Sequence, residues 1–94
     1  MNVTINDDIL TISDEQNNNK VFSILISFNN EDNTITYIAF TDYSKDEHNN
    51  IIVNSACYDT NTDNIKLNTI KDNHALDYID KLLYTITETI KNEH

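Results

Sequence analysis

The chain contains neither glycine nor proline in its 94 residues, and this absence limits how its turns can be made. Tight turns often need a residue with a positive φ angle, which glycine adopts freely and asparagine tolerates better than other residues do. Asparagine recurs between apolar segments, for example at 17–19 and 29–30. We therefore interpret these polar runs as turns and expect asparagine to occupy their positive-φ positions.

Five short apolar segments lie between these polar runs, at 9–12, 21–28, 35–40, 51–58 and 65–70. Their length and their period-two or continuous apolar character predict β-strands. The short connections favour antiparallel hairpins, because a parallel crossover needs about a dozen residues or more. The sequence therefore predicts an antiparallel β-meander of about five strands. Residues 1–8 are either flexible or an added edge strand.

From Asp72 onward the apolar spacing changes to the three- and four-residue steps of a helix. The predicted stripe consists of Leu76, Ile79, Leu83, Ile86 and Ile90. Asp72 can accept hydrogen bonds from the amides of the first turn and so cap the helix. We expect an α+β fold in which this C-terminal helix packs on one face of the sheet, over Phe22, Ile24 and Ile26. One domain spanning residues 1–94 accounts for the whole chain.

The segment at 35–40 carries apolar residues on both of its faces, which is typical of a strand covered on each side. Because neighbouring side chains of a strand point in opposite directions, one set must look away from the helix. Pairing with the preceding segment indicates that Ile38 and Phe40 face the helix and that the alternate set faces outward. The outward set is the expected protein-contact face, and it consists of Val21, Leu25, Ile35, Tyr37 and Ala39.

The formal charge is −10, from 16 acidic residues against six lysines, and arginine is absent. Without a guanidinium group the chain cannot grip phosphate in a bidentate manner, and its acidic surface repels polyanions. The composition thus argues against direct binding to nucleic acid and to anionic membranes. The first thirty residues contain no signal-peptide pattern, and no apolar run approaches the roughly 20 residues of a membrane span. We expect a cytoplasmic protein.

Residues able to carry chemistry are few and scattered along the chain. The candidate bases are His48, His74 and His94, and Cys57 is the candidate nucleophile. Their spacings match no zinc site, and no carboxylate, histidine and cysteine converge in one motif. We interpret the histidines as solvated and Cys57 as a small buried apolar residue. The sequence therefore predicts a protein that is not an enzyme, with no catalytic, cofactor-binding or metal-binding residues and no cofactor.

Oxygen-bearing side chains alternate through 59–64 as in the first half of a calcium-binding loop. The sixth position is Asn64 rather than glycine, and the twelfth is Ile70 rather than glutamate, so a turn is the better interpretation. Acidic residues also gather at both ends of the predicted meander. They are Asp14, Glu15, Asp46 and Glu47 at one end, and Glu31, Asp32, Asp59 and Asp63 at the other. Weak binding of divalent ions is the alternative to a purely solubilising charge.

Three stretches follow one another in an order found in a known family. Residues 11–25 read TISDEQNNNKVFSIL, residues 36–40 read TYIAF, and residues 65–72 read IKLNTIKD. This order of strand, Asp-Glu turn, Phe-containing strand, tyrosine strand and acidic helix entry resembles the DUF1292 family, also called UPF0473. The resemblance implies a small acidic cytoplasmic protein of a low-GC Gram-positive bacterium, which fits the bias of an AT-rich genome. It implies no catalytic residues.

Two functional classes remain open. A sheet with apolar residues on both faces and a single helix to cover them favours a non-enzymatic protein-interaction or regulatory module, with a protein partner or a second copy of the chain. The alternative is a phage-type inhibitor or DNA mimic that binds a basic protein surface, which the small size and the charge of −10 favour. A mimic needs acids spaced like phosphates, whereas the predicted helix mixes Asp77 and Asp80 with Lys81.

Overall fold

The computed structural model describes the backbone of residues 2–92 and the side chains of residues 2–86. Within that part of the chain, five antiparallel strands form one sheet in sequential order, and a helix follows them. The elements are β1 (Asn2–Asn6), β2 (Ile9–Ser13), β3 (Asn19–Asn29), β4 (Ile35–Thr41), β5 (Asn54–Asp59) and α1 (Asn73–Asn92). The predicted α+β meander with one C-terminal helix is confirmed.

The N-terminal segment follows one of the two alternatives expected for residues 1–8, whereas one predicted strand is wrong. Residues 2–6 form the added edge strand β1, whereas 65–70 is not a strand. The backbone of that segment pairs with the sheet at a single bridge, between Asn68 and Cys57. It leaves the sheet edge there because Ile70, two residues later, is buried beneath α1. No helix of the described chain combines the length and apolar character needed to cross a membrane.

Positive φ angles occur where the sequence predicts turns. The described residues with such angles are Asp7, Asn17, Asn33, Tyr43 and Asn49. The expectation that asparagine fills these positions is confirmed at three of the five. Asparagine accommodates the left-handed region with less strain than branched or bulky residues, and so it serves here in the place of glycine.

The three loops that contain a positive-φ asparagine share one hydrogen-bonding arrangement. The side chain at the first loop position accepts a hydrogen bond from the amide four residues later. The three bonds run from Asn18 N to Asp14 Oδ1 at 2.9 Å, from Thr34 N to Asn30 Oδ1 at 2.9 Å, and from Asn50 N to Asp46 Oδ1 at 3.0 Å. Each loop is therefore fixed by its own side chains.

A β-bulge in β3 decides which apolar residues share a face. Leu25 is the extra residue between Ile24 and Ile26, and Ile26 pairs with Ala39. Because the extra residue reverses the alternation, Phe22 and Ile24 point to one face while Ile26 points to the other. The expectation that all three lie beneath the helix is therefore wrong for Phe22 and Ile24.

The helix α1 covers what we term the helix face of the sheet. The buried residues of this cluster are Ile26, Tyr37, Ala39, Ile70, Ala75 and Ile79. The predicted stripe residues Leu76, Leu83 and Ile86 pack against it, and the side chain of Ile90 lies outside the described residues. Asp72 caps the helix as predicted, since its Oδ1 accepts hydrogen bonds from His74 N at 2.9 Å and Ala75 N at 3.4 Å.

The opposite side of the sheet, the concave face, has a core of its own. Its buried residues are Leu10, Phe22, Ile38, Phe40 and Ala56. No described helix covers this face, yet Leu10 and Ile38 are fully inaccessible to solvent. The sheet is curled, and Val3 and Ile5 of β1 and Leu67 beyond β5 pack against the cluster. β4 is consequently buried on both faces, as its sequence predicts.

Candidate functional site

The expected contact face lies on the helix side of the sheet. Tyr37 and Ala39 are buried beneath α1, at 6% and 0% exposure. Leu25 and Ile35 pack at the margin of the same cluster, and Val21 alone is exposed. The expectation that this set looks away from the helix is therefore wrong. After the bulge, β3 supplies apolar surface on the side of Tyr37 and Ala39, and α1 packs there instead.

An open cleft of about 660 Å³ lies on the concave face, beside the connection between β4 and β5. Its apolar lining includes Phe22, Phe40 and Ala56, which also belong to the buried concave core. The rings of Phe22 and Phe40 meet edge to face, with centroids 5.1 Å apart. Ile52 and Leu67 contribute further apolar surface. The apolar floor of the cleft is thus the surface of the buried core, since Phe22, Phe40 and Ala56 are each 6% exposed.

A charged pair stands at this cleft. The ammonium of Lys20 lies 4.0 Å from Oδ2 of Asp42 and 5.4 Å from the centroid of the Phe22 ring. Hydrogen bonds from the hydroxyl and the amide of Ser44 lower the pKa of Asp42, and the charge of Lys20 lowers it further. Asp42 is therefore an anion at neutral pH, and the cleft combines an apolar floor with a polar rim.

The hairpin formed by residues 42–52 makes one wall of the cleft. Lys45 pairs with Ile51, and the amide of Ile52 donates to the carbonyl of Ser44 at 2.8 Å. The buried hydroxyl of Thr41 donates to the carbonyl of Ile52 at 2.6 Å. These bonds give the backbone of the hairpin a defined structure.

Three large apolar side chains of this hairpin are exposed, namely Tyr43, Ile51 and Ile52. Tyr43 is 55% exposed, and its backbone has a φ angle of 66°. A left-handed backbone in a bulky residue costs on the order of 1–3 kcal/mol. The hydroxyl of Thr41 accepts a hydrogen bond from the Tyr43 amide at 3.0 Å and helps to hold this conformation. An exposed aromatic side chain is thus carried by a strained backbone on the hairpin, between two residues that line the cleft, Asp42 and Ser44.

The candidate catalytic residues are not brought together. Cys57 lines a second cleft, of about 490 Å³, together with Asp59. Neither His48 nor His74 lines this cleft, and His94 lies outside the described residues. Burial raises the pKa of the Cys57 thiol, which keeps it protonated and poorly nucleophilic at neutral pH.

The acidic loops direct their carboxylates toward their own backbone. In the segment 59–64, Asp59 Oδ1 accepts a hydrogen bond from Asn61 N at 3.0 Å, and the interpretation of this segment as a turn is confirmed. Asp14 and Asp46 accept amides of their own loops in the same way. Within the described part of the chain, no group of three or more histidine, cysteine or acidic side chains is arranged to hold a metal ion.

The sequence does not predict the cleft, because Ile51 and Ile52 fall within the strand predicted at 51–58 and not within the hairpin that forms one wall of the cleft. In the structure these two residues belong to the hairpin, and β5 begins at Asn54. A usable signal exists in the sequence: the pattern Asp or Asn, Glu, any residue, Asn recurs at 14–17, 30–33 and 46–49. The first two copies are hairpin loops, so the third predicts a loop of the same kind within 42–52.

Comparison with known proteins found no matching family model, no matching curated protein and no matching solved structure. The relationship to the DUF1292 family therefore stays a prediction.

Proposed function

We propose that this protein is a non-enzymatic protein-interaction module that binds a protein partner through the concave cleft and the hairpin 42–52. The observation that carries the proposal is Tyr43, an exposed aromatic residue whose strained backbone lies between Asp42 and Ser44, two residues that line the cleft. The bacterial cytoplasm is the proposed setting, on the strength of the resemblance to the DUF1292 family. The cleft replaces the face of Val21 and Ala39 as the proposed contact surface.

The composition of the cleft supports binding to a protein. Binding energy at protein interfaces concentrates in a few aromatic and other large anchors that surround an apolar centre, with polar groups at the rim. Ile52 supplies exposed apolar surface here, above the buried rings of Phe22 and Phe40, and the pair Lys20 and Asp42 supplies the rim. Tyr43, on the hairpin between Asp42 and Ser44, is the proposed anchor beside the cleft. A protein surface with one large apolar side chain would complement this arrangement.

The backbone conformation of Tyr43, which lowers the stability of the fold, also supports a role in partner binding. Three other loops of this chain place asparagine at a φ angle near 60°, where it is tolerated with less strain. Tyrosine at the equivalent angle lowers stability, and natural proteins retain such strain where function requires the side chain. We therefore assign Tyr43 to partner binding rather than to the fold.

A matched pair of tyrosine substitutions tests this function. The chain and its variants Tyr43→Asn and Tyr84→Asn are immobilised, a partner is captured from a low-GC Gram-positive lysate, and its affinity is then measured with purified protein. Tyr84 is the control because it is 69% exposed on α1, which covers the opposite face of the sheet from the cleft. Tyr43→Asn should weaken binding about tenfold or more, as loss of an interface anchor does, and should raise the melting temperature. Unchanged affinity in Tyr43→Asn would refute the assignment.

The second candidate function is a phage-type inhibitor that mimics DNA on a basic protein surface. The charge of −10 and the exposed loop acids favour it. Under this alternative, double-stranded DNA displaces the captured partner, and Glu15→Gln with Glu47→Gln weakens binding while Tyr43→Asn does not. Under the leading proposal, Tyr43→Asn weakens binding, whereas Glu15→Gln with Glu47→Gln does not, and DNA does not displace the partner. A second copy of this chain is disfavoured as the partner, because two domains of charge −10 repel each other.

A further inference from the structure

The outer edge of β5 borders the cleft and is only partly paired. The amide of Cys57 donates to the carbonyl of Asn68 at 2.9 Å, and the amide of Asn68 donates to the carbonyl of Cys57 at 2.8 Å. Both backbone groups of Cys57 therefore point away from β4. Because these groups alternate along an antiparallel strand, the N–H and C=O of Ser55 point to the same outer side.

The described chain supplies no partner for Ser55 on that side. The segment that contacts Cys57 turns away after Asn68, and Ile70 passes beneath α1. Among the described residues, the backbone–backbone hydrogen bonds that cross this edge are the two between Cys57 and Asn68. Ser55 is exposed, and it lines the cleft with Asn54 and Ala56. An unpaired donor and acceptor thus stand directly beside the apolar floor.

The chemistry of this edge selects its occupant. An extended backbone can bond both the N–H and the C=O of one strand residue, whereas a helix uses its own backbone groups internally. The next side chain of an added strand would point toward the cleft, where Phe40, Ala56 and Leu67 accept an apolar group. The net charge of −10 favours lysine or arginine at the flanks, while Asp42 at the cleft is already paired with Lys20.

We propose that the partner contributes an extended segment, apolar at its centre and basic at its ends, which adds as a strand to the β5 edge at Ser55 and places a side chain in the cleft. This inference rests on the proposed function and specifies its mode of recognition. The added segment continues the line of pairing that Asn68 begins at Cys57.

The probe is a heptapeptide with blocked ends and the sequence KTVLVTK, added to the full ¹⁵N-labelled chain and followed by NMR. Binding should shift the amides of Ser55, Asn54 and Asn68. Three changes should each weaken it about tenfold or more: methylation of both valine nitrogens, replacement of both lysines by glutamate, and Ser55→Pro, which removes the donor of the chain. Ser55→Ala should bind as the unmodified chain does. Proline is tolerated at a strand edge, and the unfolding midpoint of each variant shows whether it folds.

The outcomes separate the inference from the proposed function. Absence of shifts at these amides overturns the inference, and so does undiminished binding of the N-methylated peptide, a result that does not depend on how any variant folds. If the captured partner still requires Tyr43 in either case, the proposed function stands and strand addition fails. If the partner also binds Tyr43→Asn normally, both fail.

Discussion

Substitution of Ile79 by alanine tests how α1 is held to the sheet. Ile79 is 2% exposed and belongs to the buried cluster with Tyr37 and Ala39. The change removes three carbon groups, worth about 0.8 kcal/mol each in transfer free energy, and the cavity left behind adds to this loss. We expect a destabilisation of about 3–4 kcal/mol. A domain of this length has a total stability of roughly 5–14 kcal/mol, so a large fraction would be lost.

Urea unfolding, followed by far-ultraviolet circular dichroism and tyrosine fluorescence, measures the free energy of unfolding. In a separate thermal unfolding experiment the melting temperature should fall by roughly 12–30 °C, at about 4–8 °C per kcal/mol for a domain of this size. Leu83→Ala should cost less, about 2 kcal/mol, because Leu83 is only half-buried. Tyr84→Ala, an exposed control on the same helix, should change stability by less than about 0.5 kcal/mol. A midpoint for Ile79→Ala equal to that of this control would refute the packing of α1 described here.

Three further predictions concern charge and reactivity. Hydrogen bonds, of which the one from the Asn18 amide has the largest effect, lower the pKa of Asp14 in the folded state. The ionised Asp14 carboxylate therefore stabilises the fold above its unfolded-state pKa of about 3.8. This stabilisation is lost as the pH falls through the lower pKa of the folded state. Asp14→Asn should therefore be less stable than the unmodified chain at pH 7, with a gap in urea midpoint that closes in acid; a constant gap would contradict this. Sodium chloride at 0.1 M should raise the melting temperature, because it screens the charge of −10 beyond about 10 Å. A further rise with calcium at matched ionic strength would instead indicate ion binding at the acidic loops. Iodoacetamide should alkylate Cys57 more slowly in buffer at pH 7.4 than in urea, since burial raises the pKa of the thiol; equal rates would show an accessible thiolate.

The local elements of this fold could be predicted because each carries its own signal. The helix follows from a stripe with helical spacing and from the cap at Asp72, and both depend on residues close together in sequence. The turns follow from asparagine in a chain without glycine. The order of the strands then follows from short connections, which leave the chain little choice but to form sequential hairpins.

The assignment of faces could not be predicted, because it depends on one residue. The alternation from Phe22 through Phe28 continues without a break in the sequence, and nothing in it marks Leu25 as the extra residue of a bulge. A bulge is defined by the pairing of two strands, so a single strand does not reveal it. This one residue moves Ile26 to the helix face and leaves Phe22 on the concave face.

The cleft could not be predicted because its lining comes from distant parts of the chain. Phe22, Phe40 and Leu67 meet only after the sheet has curled, and each reads in the sequence as an ordinary strand residue. The strain at Tyr43 is a backbone property that the sequence does not display. The loop at 46–49 could be predicted from the pattern that it shares with 14–17 and 30–33. The position of the cleft could be seen only in the tertiary structure.

Hydrogen–deuterium exchange on the chain, alone and with its purified partner, tests most directly whether the concave cleft is the binding surface. We predict slower exchange in the complex across 42–55 and 67–69, with the helix face and residues 73–86 unchanged. Protection confined to the acidic loops at 14–18 and 30–34, or to α1, would contradict the proposed function.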